Sequence, residues 1–260
     1  MRTALTIAGS DSGAGAGIQA DLKTFAAHDV YGTTAIAAIT AQNTRGVTAV
    51  HPLPPELVHA QIEAVATDFD LHAAKTGMLA TGAIVRTVAA AVRQFSIPFL
   101  IVDPVMRSTS GDTLSEDDVL EAMREELLRC AFAVTPNIPE AERLSGISIT
   151  TGEHRREAAR IIRDFGGQAV IITGGHESGS TIADLLYDGS QFVEFRVERV
   201  PGDQTHGTGC TFAAAIAAHL AHGRSLAEAI PLAQRYIAEA IRNSPRLGSG
   251  KGPMDHLWRV

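Results

Sequence analysis

The sequence predicts an α/β protein: a three-layer α/β/α sandwich with a mostly parallel central sheet and an antiparallel hairpin at one edge. Strand-like apolar runs alternate with helix-period segments along the chain, which is the order that parallel βαβ units produce. Asp188-Gly189 separates the last two strand-like runs, a pattern typical of a hairpin. The 260 residues contain no clear linker, so we expect one domain over residues 1–260.

Eight strands are predicted along the chain, each a short apolar run bounded by glycine, proline or polar residues. The run that ends at Asp103 is strongly apolar and stops on an acidic residue followed by Pro104. The predicted strands are residues 4–8, 34–39, 73–78, 98–103, 131–135, 169–173, 185–187 and 192–197.

Helices are predicted between the strands, where apolar residues recur every three or four positions. Pro54 and Pro55 suit the first turn of the second helix, and Ser115 suits the N-cap of a helix with an acidic first turn. The first three apolar faces are Ile18, Leu22, Phe25 and Ala26, then Val58, Ile62, Val65 and Phe69, then Ile84, Val88, Val92 and Phe95. Later helices are expected at about residues 153–165, 208–222 and 225–243.

Composition excludes several classes of function. The net charge of 22 − 29 = −7 disfavours a nucleic-acid or membrane surface, which needs clustered Lys and Arg. The sequence shows no signal-peptide pattern and no apolar run of the roughly 18 residues that span a membrane. The two cysteines are 80 positions apart and match neither a disulfide framework nor a metal site, so we expect a reducing, cytoplasmic location. Cys130 is interpreted as a core residue.

A glycine-rich segment, residues 9–17, follows the first predicted strand and opens a helix. Its glycines satisfy neither the dinucleotide fingerprint GxGxxG nor the phosphate loop GxxxxGK[ST], and a Walker lysine is missing. Taken alone, the segment fits a flexible strand-to-helix turn as well as it fits a ligand-binding loop.

A second glycine-rich segment carries Gly207, Thr208, Gly209 and Cys210 at the start of a predicted helix. Unpaired backbone N–H groups and the helix dipole favour negative charge there, which suits a phosphoryl group in transfer. Cys210 falls in the first turn, where the pKa of a thiol tends to be lowered. The alternative is a glycine-rich helix start with a buried cysteine.

Polar residues follow other predicted strands. Asp103 and Glu140 offer carboxylates that suit Mg²⁺, although Glu140 also fits ordinary capping chemistry with Pro139 at the first helical position. Thr173 lies in a turn that suits contact with a nucleotide phosphate, and the Gln42 amide can bond the edge of a heterocycle. The ten histidines show no transition-metal spacing.

Several motifs in a fixed order make these signals jointly specific. The sequence closely resembles the hydroxymethylpyrimidine/phosphomethylpyrimidine kinases of thiamine biosynthesis, within the ribokinase-like superfamily, over essentially all of its 260 residues. The motifs are LTIAGSDSGAGAGIQADLKTF from Leu5, AQNTRGV from Ala41, KTGML from Lys75, DPVM from Asp103, TPNIPEAE from Thr135, GGH from Gly174 and THGTGCT from Thr205.

The resemblance implies an enzyme that uses ATP and Mg²⁺ to phosphorylate 4-amino-5-hydroxymethyl-2-methylpyrimidine and then its monophosphate. It implies that Gln42 contacts the pyrimidine edge, and that four further residues surround the substrate: Gly9, Asp21, Met78 and Val105. It also implies an anion hole at residues 207–210 with Cys210 as the base. ATP contacts fall on Asn137, Thr173 and Gly175, and Mg²⁺ on Glu140 and Asp103, partly through water. A homodimer is expected.

Two alternatives stay open. Pyridoxal or pyridoxine kinases of the same superfamily also act on a small ring with a hydroxymethyl group. A non-catalytic pyrimidine sensor would keep the pocket without the chemistry, although Asp103, Glu140 and the anion-hole segment argue against it. Two departures from the family pattern are Ala14, where relatives often have glycine, and the Arg107-Ser108-Thr109 segment.

Overall fold

The computed structural model describes residues 1–105, 117–175, 179–202 and 204–258. Within these residues the chain forms nine β-strands and eight α-helices, which alternate as predicted. The strands are β1 Arg2–Asp11, β2 Val30–Asn43, β3 Gly46–Pro52, β4 Ala73–Thr76, β5 Leu100–Val102, β6 Ala133–Val134, β7 Ala169–Ile172, β8 Thr181–Tyr187 and β9 Phe192–Glu198. The helices are α1 Gly17–Ala27, α2 Pro55–Ala66, α3 Gly82–Gln94, α4 Asp117–Ala122, α5 Ile138–Ser145, α6 Gly152–Asp164, α7 Thr208–Ala221 and α8 Leu226–Arg242.

The strands form one sheet in the order β3-β2-β1-β4-β5-β6-β7-β8-β9. The six central strands, in the order β2-β1-β4-β5-β6-β7, pair in parallel, so their carboxyl ends point the same way and lie side by side. β8 and β9 pair antiparallel, which confirms the predicted edge hairpin. β3 pairs antiparallel with β2 at the opposite edge and was not predicted.

Two buried clusters of aliphatic residues lie on the two faces of the sheet, which confirms the three-layer architecture. One includes Ile62 of α2, Val88 of α3 and Ile162 of α6. The other includes Phe25 of α1, Ile216 of α7 and Ile230 of α8. Nearly every residue of α7 is buried, and alanines allow this helix to lie close to the strands. That packing brings the N-terminus of α7 to the carboxyl ends of the strands.

Some sequence predictions differ from the structure or fall outside it. α2 ends at Ala66, so Phe69 lies beyond the helix and is 36% exposed. The predictions for Arg107-Ser108-Thr109, Ser115 and His176 fall outside the described residues. None of the helices within the described ranges is long and apolar enough to cross a membrane.

Candidate active site

A cavity of about 1280 Å³ opens at the carboxyl ends of the parallel strands. Doubly wound sheets place their ligands at these carboxyl ends. All but one of the predicted site residues line this single cavity: Gly9, Gln42, Met78, Asp103, Val105, Asn137, Glu140, Thr173, Gly175, Gly207, Thr208, Gly209 and Cys210. The exception is Asp21.

The loop after β1 is held together by the carboxylate of Asp11. This side chain accepts hydrogen bonds from the backbone N–H groups of Gly13, Gly15 and Ala16, at 2.8, 3.1 and 2.9 Å. His206 approaches the same carboxylate with Nε2 3.0 Å from Oδ2. The glycine-rich loop is therefore an ordered wall of the cavity, in which Ala14 adopts a left-handed backbone with φ +57°.

A close backbone approach explains the glycine at position 207. A Cβ on Gly9 would crowd only Cε of Met78, the end of a flexible side chain on the neighbouring wall of the cavity, which can move aside. Gly207 has φ +84°, and a Cβ there would collide with the carbonyl oxygen of Gly15. The two glycine-rich segments, far apart in sequence, thus pack directly on one another.

Gly207 is the N-cap of α7, and Thr208, Gly209 and Cys210 form its first turn. The N–H of Thr208 donates to the carbonyl of Thr205 at 3.3 Å. The N–H groups of Gly209 and Cys210, like those of any first helical turn, have no partner within the helix, so they are available to an anion beside the helix dipole. A Cβ on Gly209 would meet no atom of the described residues within 4 Å. The cavity therefore leaves room for a ligand directly beside this turn.

A buried ion cluster lies beneath the cavity. Nζ of Lys75 donates hydrogen bonds to Oδ1 and Oδ2 of Asp21, at 3.1 and 3.0 Å, and lies 3.8 Å from Oδ2 of Asp103. Lys75 and Asp21 are fully buried, and Thr6 donates a further hydrogen bond to Asp21 at 2.6 Å. Asp21 thus lies below the cavity, within the core, where its carboxylate pairs with Lys75. Asp21, expected among the residues around the substrate, is therefore the one predicted site residue that the structure does not place in the cavity wall.

Burial and the charges of this cluster together set the protonation state of the Cys210 thiol. Burial raises the pKa of the Cys210 thiol to about 12, opposed by Lys75 and reinforced by the carboxylates of Asp103 and Asp21. The expected lowering of this pKa at a helix N-terminus is therefore wrong. The thiol donates a hydrogen bond to Asp103, whose own pKa burial raises to about 6.

Lys75 stays charged within the cluster. Burial acts to lower its pKa, but Asp21, Cys210 and Asp103 outweigh burial, and the pKa lies above its usual value. Lys75 therefore supplies a permanent positive charge close to Cys210 in the first turn of α7.

Asn137 and Glu140 form a capping box at the start of α5. Oδ1 of Asn137 accepts from the backbone N–H of Glu140, and Oε2 of Glu140 accepts from that of Asn137, both at 2.9 Å. The capping interpretation is thus correct, with Pro139 second in the helix rather than first. Capping does not exclude a ligand role, because the same two side chains line the cavity.

The turn after β7 forms another part of the cavity wall. The backbone N–H of Thr173 donates to the carbonyl of Pro136 at 2.9 Å, which joins this turn to the one before α5. The N–H of Gly174 donates to Oδ1 of buried Asp184, and Gln234 of α8 donates to Oδ2 of the same carboxylate. These hydrogen bonds therefore fix the turn that carries the exposed Gly175.

Cys130 lies away from the cavity, at the end of the helical segment that follows α4. It is half-buried and packs against the core, as expected for a structural cysteine. Its thiol donates weakly to the carbonyl oxygens of Ala89 and Glu126.

Sequence reasoning missed three site residues: Asp11, Lys75 and His206. Each appears within a quoted motif, but no local spacing marks its role, since Asp11 and His206 are 195 positions apart. A lysine in an otherwise apolar strand was the available signal for Lys75, because a buried lysine needs a partner carboxylate.

A family model for phosphomethylpyrimidine kinase matches residues 11–255. The chain belongs to the phosphomethylpyrimidine kinase family. A hydroxymethylpyrimidine/phosphomethylpyrimidine kinase of Bacillus subtilis is 47% identical over 255 residues, which cover 98% of this chain and 94% of the relative. The chain spans only 52% of the thiamine biosynthesis bifunctional protein ThiED of Geobacter sulfurreducens, to which it is 46% identical.

Solved structures of similar kinases share the fold. A phosphomethylpyrimidine kinase from Clostridium difficile superposes with a TM-score of 0.82 at 40% identity, covering 93% of this chain and all of the other. A pyridoxal kinase from Staphylococcus aureus in complex with AMP-PCP and pyridoxal gives a TM-score of 0.91 at 39% identity, with 100% and 96% covered. The fold alone therefore does not separate the two ring substrates.

Proposed function

We propose that this chain transfers a phosphoryl group from ATP to the hydroxymethyl group of the aminopyrimidine named above, and a second one to the resulting monophosphate. One observation carries the proposal: the first turn of α7 and the Gln42 amide line the same cavity. The cavity thereby brings backbone donors that suit a phosphoryl group close to an amide that suits the edge of a heterocycle. The names of the relatives support this assignment and its place in thiamine biosynthesis.

Positioning and charge neutralisation supply most of the catalysis in such a transfer. The N–H groups of Gly209 and Cys210 face the charge that develops on the transferred group. The positive charge of Lys75, buried close to Cys210, favours the same negative charge. Gly207 shapes the turn, because only a residue without Cβ fits against Gly15.

Proton transfer is needed only in the first reaction. The alcohol must lose a proton, and a thiol with a pKa of about 12 is itself protonated at neutral pH. We infer that Cys210 accepts the alcohol proton while its own passes to Asp103, to which it is hydrogen-bonded. In the second reaction the acceptor is an ionised phosphate, which requires no such transfer.

Mg²⁺ is assigned to Glu140 and Asp103, partly through water, and a water between the ion and Asp103 leaves that carboxylate available to the Cys210 proton. Both offer carboxylate oxygens at the cavity wall, the ligand type that Mg²⁺ prefers. Mg²⁺ usually keeps several waters and is bound by one or two carboxylates together with substrate phosphates. The bound ion would neutralise phosphate charge. Asn137, Thr173 and Gly175 are assigned to ATP.

Three organisational predictions remain proposals: one domain over residues 1–260, a homodimer, and a cytoplasmic location. The two free cysteines, at positions 130 and 210, suit a reducing compartment. Light scattering coupled to size-exclusion chromatography tests the dimer; a mass near 27.4 kDa at all concentrations would contradict it.

Pyridoxal kinase is the second candidate function, favoured by the match to the Staphylococcus aureus enzyme. The non-catalytic sensor is disfavoured, because Asp103, Glu140 and the first turn of α7 all line the cavity.

An assay of ATP consumption with three separate acceptors tests the proposal. The pyrimidine alcohol, its monophosphate and pyridoxal are each offered with Mg²⁺ and ATP. We expect rapid turnover with the first two. Turnover with pyridoxal alone would replace the proposed function by the second candidate, and no transfer to any acceptor would revive the sensor.

A further inference from the structure

Side chains from three parts of the chain surround the amide of Gln42, at the end of β2. The Gln42 backbone is anchored by Ser12, whose Oγ accepts from the Gln42 N–H at 2.8 Å and donates to its carbonyl at 2.7 Å. In the structure Oε1 of Gln42 lies 3.1 Å from Oγ1 of Thr40, and Nε2 lies 3.3 Å from Nε2 of His206. Thr40 and His206 are buried, with 4% and 6% exposure.

The contact with His206 is constrained by Asp11. Burial acts to raise the pKa of Asp11, but hydrogen bonds from His206, Ala16 and Gly13 outweigh burial, and the pKa lies below its usual value. The carboxylate is therefore ionised and offers only acceptors. Nε2 of His206, 3.0 Å from this carboxylate, must then carry a hydrogen directed at it. That nitrogen has no lone pair to accept a hydrogen bond from Gln42.

The contact with Thr40 is constrained by Ser10. The Thr40 hydroxyl has one hydrogen but two acceptors within reach, the carbonyl of Ser10 at 3.0 Å and Oε1 of Gln42 at 3.1 Å. A half-turn of the amide resolves both conflicts. The amide nitrogen then donates to Oγ1 of Thr40, the hydroxyl donates to Ser10, and Oε1 faces the N–H of His206.

We propose that Thr40 and His206 act as positioning residues that hold the Gln42 amide in this order, with its nitrogen toward Thr40 and its oxygen toward His206. One N–H and one lone pair of the amide remain for the ligand. Their positions are fixed, with the donor on the Thr40 side and the acceptor on the His206 side. Such an edge matches a six-membered heteroaromatic ring with an acceptor nitrogen beside an exocyclic amino group.

The consequence for specificity rests on the proposed function. The hydroxymethyl group must face the first turn of α7, so the ring cannot turn over to suit a reversed amide. An aminopyrimidine offers the matching acceptor and donor side by side. Pyridoxal carries a methyl group beside its ring nitrogen, so it lacks that pair. The fixed orientation of the Gln42 amide therefore favours binding of the pyrimidine over binding of pyridoxal.

Thr40→Val tests the proposal, because it removes the hydroxyl with almost no change in shape. We expect KM for the pyrimidine alcohol to rise about tenfold, while kcat and the KM for ATP change less than about twofold. Thr40→Ser should restore KM. Thr33→Val is the matched control, since Thr33 of the same strand donates to the carbonyl of Ala4 at 3.1 Å and does not line the cavity. A folded Thr40→Val enzyme with unchanged KM would overturn the proposal.

NMR of the free wild-type protein tests the orientation of the Gln42 amide without measuring activity. Nuclear Overhauser contacts from the Gln42 side-chain NH₂ to the Thr40 methyl group are expected. Contacts to the His206 ring, without any to Thr40, would overturn the amide order. Failure of wild-type protein to phosphorylate the pyrimidine would instead overturn the proposed function, and would leave this result standing.

Discussion

Replacing Gly209 by alanine tests whether this glycine is required by a bound ligand or by the fold. Gly209 is the second residue of α7, its φ is not in the left-handed region, and an added Cβ would meet no described atom within 4 Å. Alanine is also the better helix former by up to about 1 kcal/mol, so Tm should stay level or rise by about 2–4 °C. A phosphoryl group at this turn, however, would be displaced by about 1 Å, enough to lower kcat about 10²-fold.

The assay pairs kcat for phosphorylation of the pyrimidine alcohol with thermal unfolding of the same preparation. Gly152→Ala is the matched control: Gly152 also opens a helix, α6, has the same empty surroundings, and does not line the cavity. We expect the control to keep wild-type kcat. A Gly209→Ala enzyme with wild-type kcat and Tm would refute the placement of the phosphoryl group at α7.

Three further outcomes are expected. Cys210→Ala should slow phosphorylation of the alcohol more than that of the monophosphate in single-turnover assays; equal losses would count against a role in proton transfer. Lys75→Met should destabilise the fold by about 3–5 kcal/mol in denaturant unfolding, because the Asp21 carboxylate stays buried without its partner, and adding Asp21→Asn should regain part of this loss. Burial, aided by Lys23, holds the pKa of His256 at about 4, whereas an unfolded histidine titrates near 6.5. The unfolded state thus binds an extra proton between these values, so stability falls by on the order of 3 kcal/mol as pH drops from about 6.5 to 4. His256→Gln should flatten that slope, and an unchanged slope would contradict the assignment.

The parallel core could be predicted because its strands are continuous apolar runs separated by amphipathic helices. β3 could not, because among the described strands it pairs with β2 alone, at the edge of the sheet, and exposes Thr48, Ala49 and His51, so it lacks an apolar signal. Helix ends also depend on tertiary context. α2 stops at Ala66, before the end of its predicted apolar stripe.

Much of the site was predictable because the carboxyl ends of parallel strands share one edge, which gathers Asp103, Glu140 and Thr173 without any knowledge of distances. Electrostatics was not predictable in the same way. The first-turn position of Cys210 favours a thiolate, but its burial beside Asp103 outweighs the helix dipole, and burial is a property of the folded chain. Asp21 likewise carried no sign that its partner would be Lys75, 54 positions later.

We propose above that this cavity phosphorylates an aminopyrimidine alcohol, and a competition between the two rings tests this most directly. A single reaction with equal concentrations of the pyrimidine alcohol and pyridoxal, its products quantified by ³¹P NMR, gives the ratio of the two kcat/KM values directly. We expect pyrimidine phosphates to exceed pyridoxal phosphate by more than about tenfold. An excess of pyridoxal phosphate would contradict this proposal.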